Sequence, residues 1–507
     1  MRITFVAAIA GLVGAWPKPM AAKTCEELAK LALPHSTVTL AQSVAAGQLT
    51  LPVGAVPVFP GATAPDFSKL PALCRVAATL RPTSDSDIKI EVWLPQSGPA
   101  SGWNGKLEAV GNGAWAGNIV YRDLASAVSG GYAAASTDTG HTERTAVFVV
   151  GHPEKLVDFA YRAVHEMTLA AKAITTAYYG KAPARVYFNG CSTGGRQALA
   201  EAQRYPDDYD GIIAGAAANY PTHLQGAQVW TTKITNQDNG YIPPAKYALI
   251  HNAALAACDA LDGVKDRVLE DPRRCHFDPQ ALACKAGDSD QCLTAAQVEV
   301  ARKIYAGPGA SIFPGLERGS EMGWATLSGP KPMALAAETY QYLVFHDPNW
   351  DYKTFDAARD IAKADQEIGP LMNSTDPNLR PFFKHEGRLL MYHGWADPGI
   401  APQNSVNYFA AVEDTLGGKL KATNSIRLFM VPGMGHCAGG DGTDDFDKIA
   451  ALDAWVESGK PPDHIVAAHK TKGVVDRTRP LCPYPETAHY KGSGSTDEAA
   501  NFTCAAP

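Results

Sequence analysis

One pentapeptide constrains the fold of this chain more than any other feature. Residues 190–194 read Gly-Cys-Ser-Thr-Gly, and the Gly-x-Ser-x-Gly pattern places a serine on a sharp turn from a strand into a helix. The preceding segment Arg185–Phe188 is strand-like and the following segment Arg196–Tyr205 is helix-like. A serine becomes a nucleophile when a histidine accepts its proton. We therefore predict Ser192 as an exposed nucleophile, against the alternative of a plain glycine-rich turn.

Two later segments supply the partners that such a serine needs. His436 lies in Pro-Gly-Met-Gly-His-Cys just after the strand-like run Arg427–Val431, and Asp397 follows the run Leu389–Tyr392. A buried aspartate fixes the imidazole tautomer and stabilises the imidazolium. The chain order Ser, Asp, His favours these roles. The alternatives are a surface-loop histidine and an Asp-Pro-Gly turn, where aspartate is common.

The cysteine pattern connects the nucleophile and the base. Cys191 precedes Ser192 and Cys437 follows His436, so the two sulfurs meet if the serine and histidine do. An even number of cysteines without a Cys-x-x-Cys pair favours disulfides over zinc. Local proximity suggests the pairs Cys25–Cys74, Cys258–Cys275, Cys284–Cys292 and Cys482–Cys504, which leaves Cys191–Cys437. Sequence alone does not establish connectivity, but this pairing leaves no thiol over.

The N-terminus and the charge limit the cellular setting. Residues 1–22 are typical of a signal peptide, with Arg2 before an apolar stretch; the alternative is an N-terminal anchor helix. We expect a bacterial protein that is secreted or periplasmic. A net charge of −7 with no long basic run argues against nucleic acid or an anionic membrane as a partner. The sequence does not set the oligomeric state.

The apolar pattern predicts an α/β fold with an insertion. β-branched runs alternate with helical stretches, which indicates a largely parallel sheet. Between the nucleophile and the acid the strand-like runs thin out, so we predict core residues 23–218, an inserted lid domain at 219–377 and core residues 378–507. The candidate strands are Ile88–Leu94, Lys106–Val110, Gly131–Thr137, Arg185–Phe188, Gly211–Ala214, Leu389–Tyr392 and Arg427–Val431.

Three further features are candidates for functional sites: an oxyanion hole, His393 and an acidic loop. An oxyanion hole needs two backbone N–H groups, and we assign them to Thr193 and to Gly113, with Ala114 as the second choice and a simple tight turn as the alternative. His393 either lines an acyl pocket or packs internally. Residues 258–268 place Asp259, Asp262 and Asp266 around a glycine turn, which fits either a Ca²⁺ site or a solvated acidic turn.

Three motifs together resemble the tannase and feruloyl esterase family, which includes mono(2-hydroxyethyl) terephthalate hydrolase. They are Gly-Cys-Ser-Thr-Gly-Gly-Arg, His-Gly-Trp-Ala-Asp and Pro-Gly-Met-Gly-His-Cys, beginning at residues 190, 393 and 432. The resemblance extends over nearly the whole mature chain. It implies an α/β-hydrolase core sheet with a large inserted lid, five disulfides and the triad Ser192, Asp397 and His436.

The resemblance also implies a structural Ca²⁺ ion in the lid, held by Asp259, Asp262 and Asp266 and by the carbonyls of Val264 and Val268. The expected substrates are small aromatic esters of hydroxycinnamate, gallate or a terephthalate monoester. Ile400 stands where the terephthalate enzyme has phenylalanine, so a terephthalate-specific pocket is not assigned, and Ile400 is a candidate substrate contact. A more distant alternative is an inactive protein that binds aromatic glycoconjugates.

Overall fold

The computed structural model describes residues 21–51, 66–96, 102–418 and 424–507. Residues 1–20 of the predicted signal peptide lie outside this part of the chain. Among the described residues, no helix is both long and apolar enough to cross a membrane.

A nine-stranded mixed sheet forms the centre of the molecule. Its order is β1-β2-β3-β5-β4-β6-β7-β8-β9. The first three strands and β5 pair in antiparallel fashion, and every pair from β5 through β4 to β9 is parallel. The strands are β1 Ser36–Val44, β2 Leu73–Leu80, β3 Ile88–Pro95, β4 Lys106–Val110, β5 Ala133–Thr137, β6 Arg185–Cys191, β7 Gly211–Gly215, β8 Arg388–Gly394 and β9 Ile426–Val431.

All seven predicted strands occur in this sheet, and the α/β fold class is confirmed. The central strands β5 and β7 are buried along their whole length, as expected where helices cover both faces of a parallel sheet. The sequence interpretation omitted β1 and β2, which form the antiparallel edge. It also omitted two C-terminal hairpins, whose strands are β10 Ile465–Thr471, β11 Val474–Leu481, β12 Thr487–Tyr490 and β13 Phe502–Ala505.

Helices pack on both faces of the sheet and form most of the insertion. The α-helices are α1 Tyr121–Ser129, α2 Pro153–Val157, α3 Ala163–Tyr179, α4 Thr193–Arg204, α5 Pro221–Thr235, α6 Tyr247–Cys258, α7 Ala295–Ala306, α8 Ala334–Glu338, α9 Ala357–Glu367, α10 Gly369–Met372, α11 Arg380–Lys384, α12 Gln403–Leu416 and α13 Lys448–Ser458. Short 3-10 helices include Asp259–Asp262 and Glu321–Thr326. Two π-helical segments, Asp158–Arg162 and Thr339–Val344, continue α2 and α8.

The segment predicted as a lid contributes helices α5 to α10 and no strand of the central sheet within the described residues. Two apolar clusters stabilise it, one around Trp324 and Ile250 and the other around Tyr340 and Phe355. Both clusters also contain residues from outside the segment, Ile400 in the first and Trp115 in the second. The insertion therefore packs directly on the loops that follow the sheet strands.

Candidate active site

Ser192 occupies the turn between β6 and α4. Its backbone has φ 63° and ψ −120°, a conformation that non-glycine residues rarely adopt and that recurs where a side chain must be exposed for function. The Ser192 N–H donates to the Gly215 carbonyl at 3.0 Å, and the Ser192 carbonyl accepts the N–H groups of Arg196 and Ala218, both at 3.0 Å. The turn is thereby fixed to the next strand.

Two glycines near the serine, Gly190 of the motif and Gly195 just after it, are required by close backbone contacts. A Cβ atom on Gly190 would lie 2.4 Å from the Gly194 carbonyl oxygen, and one on Gly195 would lie 2.3 Å from the Gly215 carbonyl oxygen. Both distances are far below van der Waals contact, so glycine alone permits this close packing of helix and strand. The motif predicted from the sequence therefore has the expected geometry.

His436 and Asp397 are in direct contact. The distance from His436 Nδ1 to Asp397 Oδ2 is 2.6 Å. Since the carboxylate is only an acceptor, Nδ1 carries the proton and Nε2 is left as the basic nitrogen. The Asp397 side chain is fully buried, while the His436 side chain is 36% exposed. Ser192 and His436 line the same cavity.

Asp397 is held in its ionised form by four donors. Oδ2 also accepts from His393 Nε2 at 3.1 Å, and Oδ1 accepts the N–H groups of Gly399 and Ile400 at 2.8 and 3.0 Å. Burial by itself raises the pKa of a carboxyl group, but the two imidazoles outweigh it and hold the pKa of Asp397 well below its ordinary value. In turn, burial opposes the charge of His436, but Asp397 raises the His436 pKa above the ordinary value.

His393 lies behind Asp397 and away from the cavity wall. It has no exposed surface, and its Nδ1 is 2.8 Å from Ser405 Oγ. Its Nε2 faces the Asp397 carboxylate and the Ile400 carbonyl, the latter at 3.2 Å, so Nε2 carries the proton. Of the two roles considered for His393, its position therefore fits a histidine packed inside the protein and not one that lines the acyl pocket.

A disulfide joins the neighbours of the serine and the histidine. Cys191 and Cys437 are bonded, with their Cα atoms 6.1 Å apart and 246 residues of sequence separation. The other four predicted disulfides are present as well, and no described cysteine is free. All five predicted pairs are confirmed. The histidine loop is thereby tethered covalently to the serine turn.

We expect removal of this disulfide in Cys191→Ala/Cys437→Ala to lower the free energy of unfolding by about 5 kcal/mol, because the bond closes a long loop in the unfolded chain. The ester turnover should also fall, since the histidine loop is no longer tethered. Urea unfolding and kcat on one ester measure both effects. The matched control is Cys284→Ala/Cys292→Ala, which opens a loop of sequence separation 8 and should cost roughly half as much without affecting kcat. Equal losses in both variants would contradict the prediction.

The segment after β4 approaches the serine turn. Thr193 Oγ1 donates to the Ala114 carbonyl at 2.8 Å, and the Asn112 N–H donates to Gln197 Oε1 at 2.9 Å. Thr193 and Ala114 line the cavity. Gly113 directly precedes Ala114, and its carbonyl accepts the Ala116 N–H at 2.8 Å. The structure therefore brings the two segments predicted to form an oxyanion hole next to each other.

The cavity that contains Ser192 encloses about 260 Å³, at the small end of ligand pockets. Its wall is largely apolar and includes the predicted substrate contact Ile400. The other large apolar side chains come from the core and from the insertion, and they are Trp115, Phe159, Met333, Leu335 and Met372. The buried Arg196 also lines it, but its guanidinium donates to the carbonyls of Phe159 and Ala160 at 3.1 and 2.7 Å.

Two glutamines on α5 were missed by sequence reasoning. Gln225 and Gln228 both line the cavity and are 5% and 3% exposed. Gln228 Nε2 donates to the Gly399 carbonyl at 2.9 Å. This hydrogen bond identifies which end of the amide is the nitrogen and which is the oxygen Oε1. Among the described residues, neither Gln225 Oε1 nor Gln228 Oε1 has a hydrogen-bond partner. The i, i+3 spacing of the two glutamines, which places both on one face of α5, was the available signal.

The acidic loop at 259–268 folds into local hydrogen bonds. Asp259 Oδ1 accepts the N–H groups of Asp266 and Arg267 at 3.2 and 2.8 Å. Asp266 Oδ2 is bonded to Arg479. Four of the five predicted calcium ligands, Asp262, Val264, Asp266 and Val268, line one small cavity of about 10 Å³, on the order of one water-sized sphere. Asp259 is not among the residues that line it.

Comparison with known proteins relates the chain to one family. The family model described as tannase and feruloyl esterase matches residues 74–505. An uncharacterized esterase of Xanthomonas campestris pv. campestris is 37% identical, over 96% of this chain and 91% of that protein. A probable feruloyl esterase B-2 of Aspergillus terreus is 34% identical, over 93% of each chain.

Solved structures show the same fold. Feruloyl esterase B from Aspergillus oryzae superposes with a TM-score of 0.88 at 31% identity, over 95% of this chain and 99% of that chain. A tannin acyl hydrolase from Aspergillus niger superposes with a TM-score of 0.76 at 24% identity, over 94% and 92%, which shows the common fold. The chain therefore belongs to the tannase and feruloyl esterase family, a family of carboxylic ester hydrolases.

Proposed function

We propose that this protein is a secreted serine esterase that cleaves esters of hydroxycinnamic acids through an acyl-enzyme. One observation carries the proposal: the histidine that contacts a buried carboxylate is tethered by a disulfide to the serine turn, and both line one cavity. This is the arrangement that a nucleophile, a base and an orienting acid require.

The proposed reaction has two steps. His436 Nε2 accepts the Ser192 proton as Oγ attacks the ester carbonyl, and the Asp397 carboxylate stabilises the imidazolium. The N–H of Thr193 and one from the Gly113–Ala114 segment stabilise the tetrahedral oxyanion. His436 then protonates the departing alcohol, and water releases the acid by the reverse sequence.

The cavity supports a hydroxylated aromatic acid as the acyl group. Trp115 and Phe159 supply aromatic surface, with ring centroids 5.2 Å apart. The amide oxygens of Gln225 and Gln228 are buried acceptors, so a ligand hydroxyl group that donates to them removes the cost of leaving them unpaired. A phenolic acid offers both the ring and the donor.

A substrate panel tests this assignment. We expect methyl ferulate and methyl gallate to be hydrolysed with a higher kcat/KM than mono(2-hydroxyethyl) terephthalate, because Ile400 and the two amide oxygens favour a neutral phenolic ring over a carboxylate. Chromatography of the released acids measures the order. A preference for methyl gallate would indicate a tannase, and a preference for the terephthalate monoester would indicate a mono(2-hydroxyethyl) terephthalate hydrolase. Binding of all three without acid release would indicate an inactive binding protein.

Export is supported by the five disulfides, because such bonds persist in oxidising compartments. The proposal includes cleavage of the signal peptide predicted at residues 1–22. N-terminal sequencing of the exported protein tests it. We expect the mature chain to begin at or near Lys23.

We also propose a structural Ca²⁺ ion in the 259–268 loop. Oxygen ligands suit this hard cation, and Asp262, Asp266, Val264 and Val268 line a cavity of the size of one ion. These residues therefore fit the ion, although Asp266 shares its carboxylate with Arg479. The proposed ion stabilises the loop and takes no part in the ester chemistry.

Removal of Ca²⁺ with EGTA should lower the Tm, because an ion bound only by the folded state contributes about 2.7 kcal/mol at a hundredfold excess over its Kd. Thermal melts with and without EGTA measure the shift, and elemental analysis counts the ions. Asp262→Asn should have a lower Tm in Ca²⁺ and lose the response to EGTA, whereas the exposed control Asp290→Asn should keep it. A protein that holds no Ca²⁺ and melts identically in EGTA would contradict the site.

A further inference from the structure

A second cavity lies next to the cavity that contains Ser192 and is also lined by His436. It encloses about 300 Å³ and shares His436 and Pro398 with the cavity that contains Ser192. Its wall combines residues of the insertion with the loops that carry Trp395 and Asp441. The two cavities are therefore neighbours that share the His436 side chain.

The reaction proposed above assigns different parts of the ester to these two spaces. Ser192 and Thr193, which contact the acyl carbon and its oxygen, line the first cavity. The oxygen of the leaving alcohol must lie within hydrogen-bond reach of His436 Nε2, because that nitrogen gives it a proton. The alcohol thus extends from the imidazole, where the second cavity begins.

The second cavity is electropositive. Arg267 and Arg318 both line it, and within the described chain neither forms an ion pair with a carboxylate. Arg267 Nη2 donates to Asn252 Oδ1 at 3.2 Å. The Arg318 guanidinium donates to the Phe277 carbonyl and lies 4.4 Å from the centre of the Tyr305 ring. The hydrogen-bond partners of both guanidinium groups are therefore neutral, while the carboxylates of Asp441 and Glu317 lie near Arg267 and Arg318 respectively.

The one carboxylate among the lining residues, Asp441, is paired with a histidine. Asp441 Oδ2 is 3.2 Å from His251 Nε2, and His251 Nδ1 is 2.9 Å from Glu321 Oε2. Burial opposes the charge of His251, but its bonds to Asp441 and Glu321 raise its pKa to about 9. His251 is therefore protonated at neutral pH and bridges two carboxylates, Asp441 and Glu321, so this group keeps one negative charge. Arg267 and Arg318 together outweigh that charge and leave the cavity net positive.

The backbone at Arg267 is held in an unusual conformation. Its φ is 69°, a value that residues other than glycine rarely adopt. The Arg267 N–H donates to Asp259 Oδ1 at 2.8 Å, which fixes this conformation. A strained backbone that the surrounding structure maintains is typical of ligand sites.

We propose that the second cavity binds the alcohol part of the ester and selects alcohols that carry a carboxylate, such as hydroxy acids and sugar acids. A guanidinium group matches a carboxylate with two parallel N–H···O bonds. Arg267 and Arg318 are thus specificity-determining residues. This inference rests on the proposed function, and its test separates the two.

The test compares two esters of ferulic acid that differ only in charge: feruloyl lactate and feruloyl lactamide. We expect the wild-type protein to favour the lactate ester by about tenfold in kcat/KM, because charge-assisted hydrogen bonds are the stronger ones. Added salt should reduce this ratio. Arg267→Gln and Arg318→Gln should each lower the ratio towards one by reducing kcat/KM for the lactate ester, and Arg→Lys at either position should retain part of the preference.

The matched control is Arg122→Gln, an exposed arginine that lines neither cavity, and it should keep the full ratio. Equal kcat/KM for the two esters in the wild-type protein would overturn the inference, as would a ratio that both Arg→Gln variants retain. In either case Ser192-dependent hydrolysis of both esters would leave the proposed function standing. Hydrolysis of neither ester would overturn both.

Discussion

Ser192→Ala is expected to lower kcat for methyl ferulate by about 10⁴–10⁶-fold, because it removes the only atom that attacks the ester carbonyl. Alanine keeps the Cβ atom and so adds no clash at φ 63°. The Tm should therefore remain that of the wild-type protein. Initial rates and a thermal melt on the same preparation measure both quantities.

The control for this variant is Ser458→Ala, which removes an exposed hydroxyl at the end of α13 that donates to the Ala454 carbonyl. It should leave kcat unchanged. Retention of more than about 1% of turnover by a folded Ser192→Ala protein would assign the nucleophile to another residue, since losses for this step are far larger.

Asp397→Asn is expected to lower kcat by about 10⁴-fold, because asparagine holds the imidazole in the wrong tautomer. The structure predicts a second effect. Both oxygens of Asp397 accept hydrogen bonds, and the donors are His436, His393, Gly399 and Ile400. In asparagine one of these oxygens is replaced by an NH₂ group, which cannot accept a hydrogen bond. One buried group left unpaired should cost about 1–3 kcal/mol of stability.

The pH profile gives the same variant a distinctive signature. Asp397 raises the pKa of His436, and the imidazole must be neutral to act as the base, so kcat/KM should rise with pH through this raised pKa. Loss of the carboxylate charge should move this acid limb to lower pH. His393→Gln retains Asp397 and should shift the limb much less. An Asp397→Asn protein with an unchanged acid limb would contradict the assigned contact.

The sequence was sufficient for the features that local rules determine. The parallel strands are short buried runs, and each was recognised by its apolar, β-branched residues. The turn at Ser192 was recognised because close packing admits only glycine at its flanks. The Cys191–Cys437 bond was predicted because each cysteine is next to a candidate catalytic residue in the sequence. If Ser192 and His436 are close together, the two sulfurs are close as well.

Features that depend on tertiary packing were beyond the sequence. Strand β1 has an irregular pattern of half-buried and exposed residues, so it lacks the alternation that marks an edge strand. His393 contacts Asp397 only because β8 and the loop after it fold back together. The cavity wall combines Ala114, Gln225 and Met333, and no local pattern connects segments so distant in sequence.

The central claim is that a disulfide holds the nucleophile beside its base, and one peptide map tests it. The protein is treated with an alkyl phosphonate ester, which reacts with an activated serine, and is digested with trypsin without reduction. We predict one linked pair of peptides, residues 186–196 and 428–448, joined through Cys191 and Cys437 with the phosphonate on Ser192. A phosphonate on another residue, or a labelled peptide that is not linked to Cys437, would contradict the account.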